Sequence, residues 1–142
     1  MTFGPKVPKL TPKEERLAYE LVTARDDNTC QRCLRNCGPI NRDHRKLRSQ
    51  GGRTVASNLQ LLGGSGTTGC HGWATTHPLA AVRDGWAVPG WGDPARWPAR
   101  RYVPQHGGVV AARWVLYDDE GDFRVISDER AEALMDGYGT IY

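Results

Sequence analysis

Cys30-Gln31-Arg32-Cys33-Leu34-Arg35-Asn36-Cys37-Gly38-Pro39-Ile40-Asn41-Arg42-Asp43-His44 is the stretch on which the fold turns. Three cysteines stand within eight residues, and Gly38-Pro39 breaks the chain behind them. Ile40 then opens an extended segment to Leu47 that carries Asp43 and His44. A fourth cysteine, Cys70, comes far downstream with His71 directly after it. Cys-x-x-Cys joined to a distant Cys-His is metal-site spacing in a reducing compartment. An even cysteine count also suits a disulfide framework, but residues 1–11 show no apolar leader toward an oxidising compartment. A redox pair at Cys30 and Cys33 needs a preceding strand in a β-α-β unit, a pattern missing here.

Downstream, Ser49-Gln50-Gly51-Gly52 reads as a turn. Thr54-Val55 and Leu59-Gln60-Leu61-Leu62 resume the extended pattern, which makes a β-hairpin with a long basic loop. The glycine-rich run 63–69 lacks the Gly-Lys-Ser/Thr ending of a nucleotide phosphate loop. It leads into a helix opening at Cys70-His71-Gly72-Trp73-Ala74, with Thr67 or Thr68 as cap. The local order is strand, strand, helix.

Upstream, residues 1–10 read as a basic flexible arm holding Pro5, Lys6, Pro8 and Lys9. Thr11-Pro12-Lys13-Glu14 signals a helix start with a capping box, and Leu17 and Leu21, joined by Ala18, Val22 and Ala24, form an apolar stripe to about Asp27. Past the motif region, Pro78 to Asp84 suits a short helix, Trp86 to Val88 a short strand, and Pro89 to Pro104 irregular backbone. Arg113–Tyr117 and Phe123–Ile126 form a hairpin around Asp118–Gly121, and Ser127 or Asp128 caps a last helix. The expectation is an α+β fold: one domain over 11–142, with a core at about 28–80 and a C-terminal extension over 81–142.

Charge is divided along the chain. The 142 residues carry a formal +3 overall, but between Arg32 and Arg53 seven basic residues face the single acid Asp43. Between Asp118 and Asp136 eight acids face Arg124 and Arg130. The basic stretch suits either a phosphate-facing surface or a solvated loop. No apolar run approaches the ~18–20 residues of a membrane span, so no membrane partner is expected.

Asp43-His44, Asn58-Leu59 and Cys70-His71, placed after Cys30-x-x-Cys33, gather a carboxylate and two imidazoles into one strand–strand–helix unit. Hydrolysing a phosphodiester near neutral pH needs a base, a charge-neutralising metal and groups that orient the base. The arrangement resembles the HNH endonuclease family of ββα-metal nucleases, and especially the small HNH proteins of actinobacterial phages. In those proteins a Gly-Gly turn, a Gly-Ser-Gly-Thr-Thr-Gly-Cys-His-Gly run and a downstream Trp-rich region recur.

The resemblance implies a metal-dependent endonuclease that nicks or cleaves double-stranded DNA, with Mg²⁺ or Mn²⁺ as working ion. His44 would be the general base, Asp43 and His71 ligands of the catalytic ion, and Asn58 the residue that orients the loop or His44. His77 would be a third ligand if the helix ends first, which Pro78 favours. Arg42, Arg45, Lys46, Arg48 and Arg53 would hold the DNA backbone. The related phage proteins place a cysteine where this chain has Gly63, and Cys37 is the economical replacement, giving structural zinc on Cys30, Cys33, Cys37 and Cys70. The resemblance further implies a phage-encoded protein in the host cytoplasm, with the large terminase subunit as a partner for the acidic tail. A non-catalytic zinc-stabilised DNA-binding module, or a terminase accessory protein, fits the same residues.

Overall fold

The computed structural model describes residues 8–136, so most of the arm read at 1–10 lies outside the described residues. The first helix, α1 (Pro12–Arg25), begins as its sequence signals. Thr11 Oγ1 accepts from the Glu14 N–H at 3.1 Å, and Glu14 Oε1 accepts from the Thr11 N–H at 3.0 Å. Its buried stripe is Ala18 and Val22, with Leu21 partly covered. Leu17 is 54% exposed, so the helix is rotated from the Leu17-led face that its periodicity suggested.

Two short strands, β1 (Ile40–His44) and β2 (Leu59–Gly63), pair antiparallel, with Asp43 opposite Gln60 and His44 opposite Leu59. β1 stops at His44 rather than Leu47, because the Arg45 side chain turns into the interior while its N–H bonds the Asn58 carbonyl at 2.7 Å. Thr54-Val55 joins no strand, although Val55 is locally extended; 3-10 turns at Arg48–Gln50 and Ala56–Asn58 shape the long loop. All five residues of β2 are buried. Leu59 and Leu61 pack with Ala18 and Val22, while Leu62 joins Cys30, Cys70, Ala81 and Trp86 in a second cluster. A strand sandwiched this way holds its register firmly, since a one-residue slip would exchange the two clusters.

After β2 come α2 (Gly69–Thr76) and α3 (Pro78–Arg83), which meet at His77. Thr68 is the N-cap of α2, but its hydroxyl bonds Ser65 instead of the helix. Trp86 to Val88 forms no strand; the Val88 N–H bonds the Arg45 carbonyl and the Trp86 carbonyl accepts from Gln60.

Residues 89–104, read from sequence as irregular backbone, contain a strand. β3 (Ala99–Pro104), β4 (Val110–Tyr117) and β5 (Phe123–Ile126) form an antiparallel sheet in that order, followed by α4 (Asp128–Leu134) capped by Ser127. Four prolines between 89 and 104 masked β3, yet its proline-free stretch runs from Ala99 to Val103 and Pro104 sits at its end. The molecule is thus mixed α+β with two small sheets.

A buried ionic knot ties the halves together. Asp26, directly after α1, accepts from Arg25 Nε at 2.8 Å, Arg101 Nη1 at 2.6 Å and the Leu61 N–H at 3.1 Å. Arg101 also donates to Tyr117 Oη at 3.2 Å and to the Arg25 carbonyl at 2.8 Å. Both oxygens of a buried carboxylate are therefore engaged, the condition under which a buried ion pair is tolerated.

Candidate functional site

The four cysteines converge: the sulfurs of Cys30, Cys33, Cys37 and Cys70 all lie within 4.8 Å of one another, and none is in a disulfide. Leu34, at φ 58°, reverses the chain after Cys33, and its N–H returns to the Cys30 carbonyl at 2.9 Å. Burial raises the Cys30 thiol, but the N–H groups of Gly63, Cys33 and Arg32 outweigh it and bring its pKa to about 7. Burial pushes the Cys70 thiol up to about 12. Four thiols gathered at one point are the donor set of a structural metal such as zinc.

Gly63 explains how the fourth sulfur arrives. A Cβ built there would fall 2.6 Å from Cys37 Sγ, so the Cys37 thiol fills the space that a side chain at position 63 would enter. Gly64, at φ 108°, lets the chain leave β2 beside it; a Cβ there would strike the Thr68 carbonyl oxygen at 2.0 Å.

At the other end of the hairpin, Asp43 meets His71. Asp43 Oδ1 lies 3.1 Å from His71 Nδ1, yet that buried nitrogen makes no well-aligned hydrogen bond. The two atoms converge as two ligands of one cation do. Contact with Asp43 raises the His71 pKa above its ordinary value, against the opposite pull of burial. Asp43 Oδ2 accepts from Gln60 Nε2 at 3.0 Å, and the same amide donates to the Trp86 carbonyl at 2.6 Å. Gln60 is fully buried and fixes the carboxylate from across the hairpin. It was not singled out from sequence, although one amide in the apolar run Leu59–Leu62 was the available signal.

His44 Nε2 pairs with Thr54 Oγ1 at 2.9 Å. Burial first, and the Arg48 guanidinium second, hold the imidazole below its usual pKa, so it is neutral near pH 7. Asn58 does not touch His44. Its Oδ1 accepts from the Lys46 N–H at 2.7 Å, and its Nδ2 donates to the Lys46 and Arg53 carbonyls at 3.0 and 2.9 Å, which closes the loop.

His77 is placed apart from this pair. The end of α2 does fall at His77, but its ring stacks on Trp73 at 5.8 Å and its Nδ1 lies 3.1 Å from the Trp73 carbonyl. Among the described residues it does not converge with Asp43 and His71 as a three-ligand group.

The basic segment divides. Arg45 is buried and donates to the Ser57, Pro94 and Trp97 carbonyls at 2.7, 3.0 and 3.0 Å, so it cannot reach DNA as its sequence position suggested. Burial pulls its pKa to about 10, leaving it charged at neutral pH. Lys46 is half-buried and spends its ammonium on the Gly92 carbonyl at 3.0 Å. Arg42, Arg48 and Arg53 are exposed; Arg42 donates to Thr23 Oγ1 at 3.2 Å, Arg53 to the Pro8 carbonyl at 3.3 Å, and Arg48 lies 3.7 Å from Glu15. Within the acidic tail, Asp119 accepts from the Ser57 N–H and hydroxyl, and Asp118 bonds its own turn.

Asp43 and His44 line one cleft of about 390 Å³, walled by Leu47, Gln50, Leu79 and Trp91. A wider cleft of about 970 Å³, between Arg32, Arg100, Trp114 and Glu132, contains none of the candidate catalytic residues. No family model, curated protein or solved structure matches this chain.

Proposed function

We propose that this chain is a metal-dependent endonuclease of HNH type that hydrolyses phosphodiester bonds of double-stranded DNA, by nicking or cleavage. The observation that carries the proposal is the 3.1 Å approach of Asp43 Oδ1 to His71 Nδ1, with His44 next in the chain on the same cleft. The order of β1, β2 and α2, and the four-cysteine knot that ties the loop before β1 to the start of α2, are what the HNH resemblance requires around such a pair.

Asp43 and His71, one carboxylate and one imidazole, form a donor set that suits several divalent metals, Mg²⁺ and Mn²⁺ among them. When bound, such an ion supplies positive charge to the phosphate and the departing oxygen. The chain supplies the rest. In the tautomer that donates from Nε2 to Thr54, His44 keeps a lone pair on Nδ1. That nitrogen takes the proton of the attacking water as its oxygen bonds to phosphorus and the bond to the leaving oxygen breaks. Gln60 holds Asp43 in one orientation, and Asn58 holds the loop that carries Thr54. Cys30, Cys33, Cys37 and Cys70 would hold zinc, which would pin the loop before β1 to the start of α2. Arg42, Arg48 and Arg53 remain for the DNA backbone, a contact without base readout and with strong salt dependence.

Supercoiled plasmid incubated with Mg²⁺, Mn²⁺ or EDTA tests the reading. Relaxation is expected with metal alone and is expected to vanish in His44→Ala; cleavage unchanged in that variant would remove His44 as the base. DNA binding without relaxation in any metal would leave a non-catalytic module in its place.

A further inference from the structure

Three large apolar side chains stand open to solvent around the cleft that holds Asp43 and His44. Leu47 is 56% exposed, Leu79 49% and Trp91 69%. Pro78, Pro89 and Val88 continue the apolar wall. Trp91 meets Trp97 edge-on, with ring centroids 5.4 Å apart and planes at 86°, so its ring is oriented although it is exposed. A concentration of exposed apolar surface beside a candidate active site calls for an occupant. We propose that this cleft receives a nucleobase unstacked from the DNA strand being cut, an inference that rests on the endonuclease reading.

The chemistry of the walls selects that part of a nucleotide. A phosphate seated among these walls would lose its hydration against leucine and proline. A base is neutral, flat and apolar on its faces, and it carries donors and acceptors along its edge. The cleft answers with an aromatic face at Trp91 and neutral hydrogen-bonding side chains at Gln50 and Thr75. Gln50 leans on Gly90, where a Cβ would come within 3.1 Å of its amide. Arg48 follows Leu47 in the same 3-10 turn as Gln50 and is largely exposed, which places a cation outside the apolar wall for the adjoining phosphate. Its volume of about 390 Å³ lies within the ~300–1,000 Å³ of small-molecule sites. A protein partner or a second copy seated here would cover Asp43 and His44, whereas a base delivers its own phosphate to them.

The test uses the zinc-loaded full chain without added Mg²⁺ or Mn²⁺ and two duplexes that differ at one position: an extrahelical 2-aminopurine or an abasic bulge. The 2-aminopurine duplex is expected to bind about tenfold tighter, with its fluorescence quenched by stacking on Trp91. Trp91→Ala and Leu79→Ala should each lose the preference, Trp91→Phe should keep it, and Leu17→Ala on α1 should be indistinguishable from the parent. Equal binding of the two duplexes, or a preference that survives Trp91→Ala, would overturn the proposal. Dimers that dissolve in Trp91→Ala, without any base preference, would give the cleft to a second copy and also overturn it. Plasmid relaxation run in parallel separates the two readings. Cleavage without base preference removes the base site alone, and base preference without cleavage keeps the site and removes the nuclease.

Discussion

The two sets of candidate ligands sit at opposite ends of one hairpin and are built on opposite terms. Beside Gly63 four sulfurs close around a point, with Cys30 and Cys70 buried. Beside Leu59, Asp43 Oδ1 and His71 Nδ1 offer two atoms 3.1 Å apart, with Asp43 on the wall of a cleft and no third ligand grouped with them among the described residues. A closed donor set stabilises a fold, whereas an open one has positions for substrate and water. The hairpin register, which sets Ile40 opposite Gly63 and His44 opposite Leu59, makes the first end the anchor of the second.

Breaking the closed end should have the largest effect. Cys70→Ser is expected to abolish cooperative melting and stoichiometric zinc together, because the binding energy of a structural zinc is folding energy, on the order of 10 kcal/mol. Metal analysis and a thermal melt check this; a variant that melts normally with full zinc would show that Cys70 is not a ligand. Breaking the open end should separate activity from folding. Asp43→Ala should lower plasmid cleavage about 1,000-fold, the loss of several kcal/mol of transition-state stabilisation, and keep both zinc and a cooperative melt.

The two arginines sharpen the same contrast between interior and surface. Arg45→Met should cost about 3 kcal/mol in denaturant unfolding, since the Ser57, Pro94 and Trp97 carbonyls lose their donor. Arg48→Ala should leave the melt in place and reduce the slope of log affinity against log salt by about 1. A smaller effect belongs to Gln60→Leu, which frees Asp43 Oδ2: cleavage should fall about 10- to 100-fold at unchanged zinc content. The smallest lies far from both metals. Thr11→Ala removes the α1 cap and should lower the melting midpoint by about 3 °C. The Thr11 N–H and hydroxyl hold the Glu14 pKa below its ordinary value, so the cap contributes fully above the ordinary carboxylate range and fades as pH falls through the lowered pKa. In the parent, therefore, the Thr11-dependent difference should shrink on acidification.

What the sequence disclosed was local. The α1 cap, the Cys-x-x-Cys turn and the C-terminal hairpin are each written within a few residues, and each formed as read. Arg45 could not be read that way, because its carbonyl partners come from Ser57, Pro94 and Trp97, remote stretches without a motif. To the sequence it was one more cation in a basic run. The Asp26–Arg101 pair is likewise joined only in the folded chain, where the Arg101 side chain reaches the end of α1, and β3 was itself hidden by flanking prolines. The candidate site was legible in Asp43, His44 and His71 because the hairpin and helix that position them have local signals. Gln60 and Thr54, which hold Asp43 and His44, become visible only once cross-strand and loop neighbours are known.

The approach of Cys37 to Gly63 also constrains how this chain can change. Sulfur reaches that corner from the loop or from the strand, but not from both, since a side chain at 63 would collide with the thiol already there. Moving the fourth cysteine between the two positions takes two substitutions, and neither order is smooth. Gaining a cysteine at 63 first crowds the knot, while losing Cys37 first leaves it with three sulfurs. Each arrangement is thus separated from the other by a disfavoured intermediate, and descendants of a chain holding one should seldom cross to the other.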